Sequence, residues 1–226
     1  MDALYAGWVS RWQAAIDACQ RKGGEQGKLL IGPPATTEAV ADVESALGRP
    51  LSPSFKRVLL DFSAEVEVFW SLPDDVSWSL PETYWQIFSG ECNWSLSRMT
   101  KIASEYEEWL EVVGVNDPYV RLWYGKPYRL WHGKMAFAQA GNGDDIAFDI
   151  EHSQDAPVVY LSHNGGEGHG YCLGNDFIDF IERHSLLGCA GYDHVQMMPF
   201  LPDATSGLDT HGENARKWRE WFGLDF

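Results

Sequence analysis

The stretch over residues 135–150 limits the fold most narrowly. Two apolar-rich runs, residues 135–140 and 145–150, flank Gly141-Asn142-Gly143-Asp144. Asn-Gly suits the positive φ angles of a tight turn, so the segment reads as a β-hairpin. Other strand signals lie around it. Val66, Val68 and Trp70 alternate with Glu67 and Phe69, and residues 84–88, 120–124 and 158–161 are further candidates.

The other periodic segments are helical. Leu4, Trp8, Trp12, Ile16 and Cys19 form one apolar stripe that ends at Gly23-Gly24, followed by a loop through Pro33-Pro34. Thr36 is placed to cap a helix carrying Val40, Val43 and Leu47, with Gly48 as its stop. Ser52-Pro53 starts another, serine as cap and proline at the first position, burying Phe55, Val58, Leu59 and Phe62. Later stripes run through Leu96, Met99, Ile102, Tyr106, Trp109 and Val113, through Phe177, Phe180, Ile181 and His184, and through Ala215, Trp218 and Phe222. The order implies an α+β fold: a mainly antiparallel sheet, helices packed on one side, and helical N- and C-termini. With no repeat or linker, 226 residues read as one domain, 1–226.

Charge narrows the function. Acids outnumber Lys and Arg by 33 to 17, for a net charge of −16. Phosphate-backbone and anionic-membrane binding need basic clusters, so neither is expected. Residues 58–97 hold seven acids and no Lys or Arg, and residues 135–182 hold nine and again none. Such stretches either keep the surface solvated or present an acidic face to a basic partner. No apolar run is long enough to cross a bilayer, and the first residues lack the pattern of a signal peptide. Cys19, Cys92, Cys172 and Cys189 show no CxxC spacing. Free buried thiols and a cytoplasmic location are the expectation.

Several residue groups suggest chemistry. Asp144, Asp145 and Asp149 offer hard oxygen ligands, but consecutive strand residues point to opposite faces. They serve turn chemistry or a partner contact, and Asp144 and Asp145 are the candidate partner-binding residues. His163, Glu167, His169 and Cys172 surround a glycine-rich loop at spacings poor for zinc, and His184, Cys189, Asp193 and His194 are a similar set. Residues 165–168 are no phosphate loop, since no Lys-Ser/Thr follows. No metal, cofactor or catalytic residue is therefore expected. Of the eleven tryptophans, Trp8, Trp12 and Trp109 fall on helical stripes. Trp78, Trp85, Trp94, Trp123 and Trp131 fall in loops or strand ends, where a ring either seals the core edge or anchors a partner.

Glu38, Val40, Val43-Glu44, Leu47-Gly48, Leu51-Ser52-Pro53 and the apolar positions from Phe55 to Phe62 resemble the opening of the SUKH superfamily, which includes fungal cell-wall-assembly regulators and bacterial immunity proteins. Ser52 departs from the usual Leu-Pro by one inserted residue. Gly143-Asp144 with Ile146, Phe148 and Asp149, the strand at Val158 to Tyr160, and Phe177 to Ile181 match later parts in order. The resemblance covers a core of about residues 34–185 and leaves out the helix at 3–22 and the extension at 188–226. It implies helices on a sheet and a non-catalytic protein-binding module, foremost an immunity protein that occludes a basic toxin. A general regulatory scaffold is the second reading and an enzyme with an unrecognised site the third.

Overall fold

The computed structural model describes residues 2–25, 27–112, 128–151 and 155–226. The strand expected at 120–124, Val113 and Trp123 lie outside them. In chain order the elements are α1 (Ala3–Arg21), β1 (Lys28–Ile31), α2 (Thr37–Leu47), α3 (Pro53–Asp61), β2 (Glu65–Ser71), α4 (Asp74–Ser77), β3 (Ser89–Ser95) and α5 (Met99–Val112). Then follow β4 (Lys134–Gln139), β5 (Asp145–Asp149), β6 (Val158–Leu161), β7 (Cys172–Gly174), α6 (Phe177–Leu186), α7 (His194–Met197) and α8 (Glu213–Phe222). The architecture is α+β with helical ends and antiparallel pairing throughout, as the patterns implied.

The strands form two sheets, ordered β1-β2-β3 and β4-β5-β6-β7. The first behaves as the alternation predicts. Val66, Val68 and Trp70 face the core with Cys92 and Trp94, while Glu65, Glu67, Phe69, Glu91 and Asn93 face outward. In the second, both faces are buried. Met135, Phe137, Ile146, Phe148, Val158 and Tyr160 join the main core, whereas Ala136, Ala147, Val159 and Leu161 pack against Ile102 and Tyr106 of α5 and Trp131. A bulge between Ala136 and Ala138 lets Phe137 and Ala138 share the main-core face. The second sheet therefore leaves no side open for an acidic face, because α5 lies over the one turned away from the main core.

Several local expectations change. β1 lies where the sequence implies loop, since four residues flanked by glycine and proline give too short a pattern; pairing with β2 holds it. The strand after β2 is Ser89–Ser95, not residues 84–88, whose first residue, Tyr84, closes the 3-10 turn Glu82–Tyr84. Its outward Ser, Glu and Asn masked the inward Gly90, Cys92 and Trp94. Gly90 is required there: a Cβ would meet the Trp70 ring at 2.1 Å. At the hairpin tip only Gly143 takes positive φ (88°); Asn142 instead accepts the Asp144 N–H at 3.0 Å through its side chain.

The helical ends are built into the core. On α1, Tyr5, Trp8, Trp12, Ile16 and Cys19 are buried, and Trp8 Nε1 donates to Glu182 of α6 at 2.7 Å. On α8, Phe222 lies 4.6 Å from the Trp70 ring. Trp94 and Trp131 are fully buried, near the end of β3 and in the 3-10 turn Tyr128–Trp131.

Candidate partner-binding surface

Between β2 and β3 the chain makes an excursion over residues 72–88. Leu72 N donates to Phe88 O at 2.8 Å, closing its base. Leu72, Leu80, Tyr84 and Ile87 turn inward, and Tyr84 donates its hydroxyl to Asn214 O at 2.9 Å. With the backbone anchored in this way, three aromatics are left outside: Trp78 at 87% exposure, Trp85 at 61% and Phe88 at 48%. They border a groove of about 350 Å³ shared with Ser71, Leu72, Asp74, Ser77 and Gln86. Leaving such rings in water forgoes roughly 25 cal/mol per Å² of apolar surface. They form a cluster around one groove rather than scattered exposure, the pattern of a candidate docking surface.

The acids around the groove are available to solvent. All seven carboxylates of the base-free stretch 58–97 are exposed or half-buried, with Asp74, Asp75 and Glu82 on the excursion itself. On the adjoining outer sheet face Glu67 is paired with Lys28. Burial, and then the neighbouring Glu67, raises the Glu91 carboxyl above its ordinary range, while Asn93 pulls it back by donating a hydrogen bond.

The second base-free stretch is put to internal use. Asp144 is 1% exposed and Asp145 5%. Asp144 accepts the Tyr160 hydroxyl, the Asn142 amide at 2.8 Å and the His163 N–H at 2.8 Å, and His163 Nδ1 lies 2.6 Å from it. Asp155 accepts from Ser52 and Ser54, Asp176 caps α6, Asp149 pairs with Lys134, Asp179 with Arg183, and Glu182 with Arg11. The hairpin carboxylates expected to meet a partner are thus turned inward. Buried carboxylates persist only when hydrogen-bonded or neutralised, which these residues achieve within the chain.

The proposed ligand sets fare differently. His163 is committed to Asp144, His169 Nδ1 accepts from Ser162 N at 2.9 Å, and Cys172 donates to Gly174 O, so with Glu167 they do not converge. Asp193 caps the start of α7 through Val195 N, and the His194 side chain lies outside what the structure describes. His184 and Cys189 do come together, with Cys92 of β3 as the third member. It is the one such group among the described residues. No local spacing links Cys92 to His184, which lies 92 positions further along the chain, so the sequence pattern does not reveal it.

Cys19, Cys92 and Cys172 do not resemble nucleophiles. Burial pushes Cys19 up to about 11 and raises Cys172; contact with the Cys189 thiol and then burial raise Cys92. A reactive cysteine needs the opposite shift. Cys19, Cys92 and Cys189 are buried and Cys172 half-buried. A thiol reagent is therefore expected to label Cys172 first, at least about tenfold faster than the others. Mass-spectrometric mapping of the labelled native chain checks this, and equal rates at all four would contradict it.

The model of the SMI1 / KNR4 family (SUKH-1) matches residues 34–183. The chain belongs to this family. Compared with curated proteins, it matches none. The matched span of this SUKH-1 member runs from the approach to α2 into α6 and contains the excursion with Trp78 and Trp85. α1 and α8, which complete the core, lie beyond it. The Ser52 insertion sits within it, buried and hydrogen-bonded to Asp155 at 2.6 Å. Membership is consistent with an immunity or regulatory module, in a family that is generally non-catalytic. No helix among the described residues is long and apolar enough to cross a membrane.

Proposed function

We propose that this SUKH-1 protein is a non-catalytic binding module of the cytoplasm, an immunity protein that occludes a basic toxin. One observation carries the reading: the exposed Trp78, Trp85 and Phe88 lie in the segment where seven acids occur without one base. Aromatic anchors supply contact energy, and the surrounding carboxylates steer a basic partner and reject acidic ones.

The test captures the partner from native extract at low salt and then uses it purified. Trp78→Ala with Trp85→Ala is expected to weaken the complex at least about 100-fold, chiefly through faster dissociation, with the unfolding temperature nearly unchanged. Asp74→Asn, Asp75→Asn and Glu82→Gln together are expected to slow association about tenfold and flatten its salt dependence. The captured protein, expressed alone, should arrest growth, and co-expression should restore it. Affinity indifferent to both variant sets sinks the surface. Binding without growth rescue sinks immunity in favour of the regulatory reading.

A further inference from the structure

Cys92, His184 and Cys189 meet in the core behind the first sheet. Cys92 is on the inner face of β3 opposite Val68, His184 is in the last turn of α6, and Cys189 is in the turn after it. Their donor atoms lie within 4.8 Å of one another, and none of the three residues has solvent exposure. The His184 ring stacks with Phe180 at 5.3 Å and Tyr192 at 5.7 Å, and its Nε2 is 3.1 Å from Gly191 O. A carbonyl oxygen only accepts, so Nε2 carries the proton and Nδ1 the lone pair. Nδ1 is buried, with no backbone or hydroxyl donor against it; the Cys92 thiol is the polar group that faces this lone pair. Cys189 itself sits at φ 56°, the one non-glycine residue with positive φ among the described residues.

We propose that Cys92, Cys189 and His184 bind a zinc ion. Thiolate and imidazole donors suit zinc and disfavour the hard cations Mg²⁺ and Ca²⁺. Two thiolates and one neutral imidazole balance the two positive charges, which a dry core requires. The Nε2–H bond to a backbone carbonyl is the outer brace that metal-bound histidines usually have. With Zn–S near ~2.3 Å and Zn–N near ~2.0 Å, bound donors sit roughly 3.5–3.8 Å apart, so closing on the ion needs at most about 1 Å of contraction. Each cysteine releases its proton to solvent as its Zn–S bond forms, and no oxidation state changes.

The reduced full-length chain, freed of metal by chelator, is refolded with Co²⁺ and then challenged with Zn²⁺. Expected are one ion per chain, a thiolate-to-cobalt charge-transfer band that zinc abolishes, and about two protons released per ion. Zinc should also raise the unfolding temperature by several degrees. Cys92→Ser and Cys189→Ser should each weaken binding at least about 100-fold, while Cys19→Ser and Cys172→Ser leave it unchanged. Where a core variant fails to fold, the band, the proton count and the thermal shift of the unaltered chain decide. Absence of the band, no thermal shift, or a band that depends on Cys19 or Cys172 overturns the assignment.

Discussion

Replacing Asp155 by Ala is expected to lower the stability of the chain by about 3 kcal/mol. The carboxylate is the cap of α3. Its Oδ1 accepts the Ser54 N–H at 3.0 Å, the Ser54 hydroxyl at 2.7 Å and the Ser52 hydroxyl at 2.6 Å. Ser52 holds the N-cap position but caps nothing with its own side chain; its oxygen accepts the Ala156 N–H at 3.1 Å. Ser54 Oγ in turn accepts Phe177 N at the start of α6. One carboxylate thus joins the start of α3, the approach to β6 and the start of α6. Losing a cap costs about 1 kcal/mol, and hydrogen bonds to a charged group about 1.5–3 kcal/mol each, partly recovered by water at this half-buried site. Urea unfolding of the variant checks the value. A midpoint unchanged from the parent chain would show that Ser52 caps α3 after all.

Replacing Asp145 by Asn is expected to act in the opposite direction, and only above mildly acidic pH. Burial is the main cause that lifts this carboxyl from 3.8 to about 7; a hydrogen bond from Gln139 opposes it, and the charges of Asp144 and Glu105 add to it. Its Oδ1 is buried with no hydrogen-bond partner. Because the folded-state pKa is raised, the folded chain holds the proton more tightly than the unfolded chain between about pH 4 and 7. Stability is therefore highest with respect to this group below pH 4 and falls as pH rises through 7. At about 1.4 kcal/mol per pKa unit the ceiling is near 4 kcal/mol, and about 2 kcal/mol is the expected gain for Asn at pH 8. Near pH 4 the variant and parent should differ little. Unfolding curves at pH 4, 6 and 8 test the trend, and a variant less stable than the parent at pH 8 would show that the charge is needed.

These two aspartates, with Asp144, mark where sequence reading stopped. Helices with clean stripes were legible: Trp8 and Trp12 of α1, Phe177 and Ile181 of α6, and Trp218 and Phe222 of α8 all lie inside as their spacing implied. So were β2, the central hairpin and the family, because each depends on near neighbours in the chain. β1 and β3 were not, since a short or polar-faced strand becomes one only by pairing with β2. A carboxylate carries no local sign of its burial. Nine base-free acids looked like surface, yet tertiary contacts drew Asp144 and Asp155 into hydrogen bonds and buried Asp145, while Trp78 and Trp85, ordinary core formers by type, were left outside by the anchoring of Leu80, Tyr84 and Ile87. Likewise nothing near Cys92 in the chain announces His184 and Cys189. The clean helical stripes, β2, the central hairpin and the net charge follow from residues close together in the chain. The tertiary structure alone decided which acids and aromatics face solvent, because burial depends on residues far apart in the chain that only packing brings together.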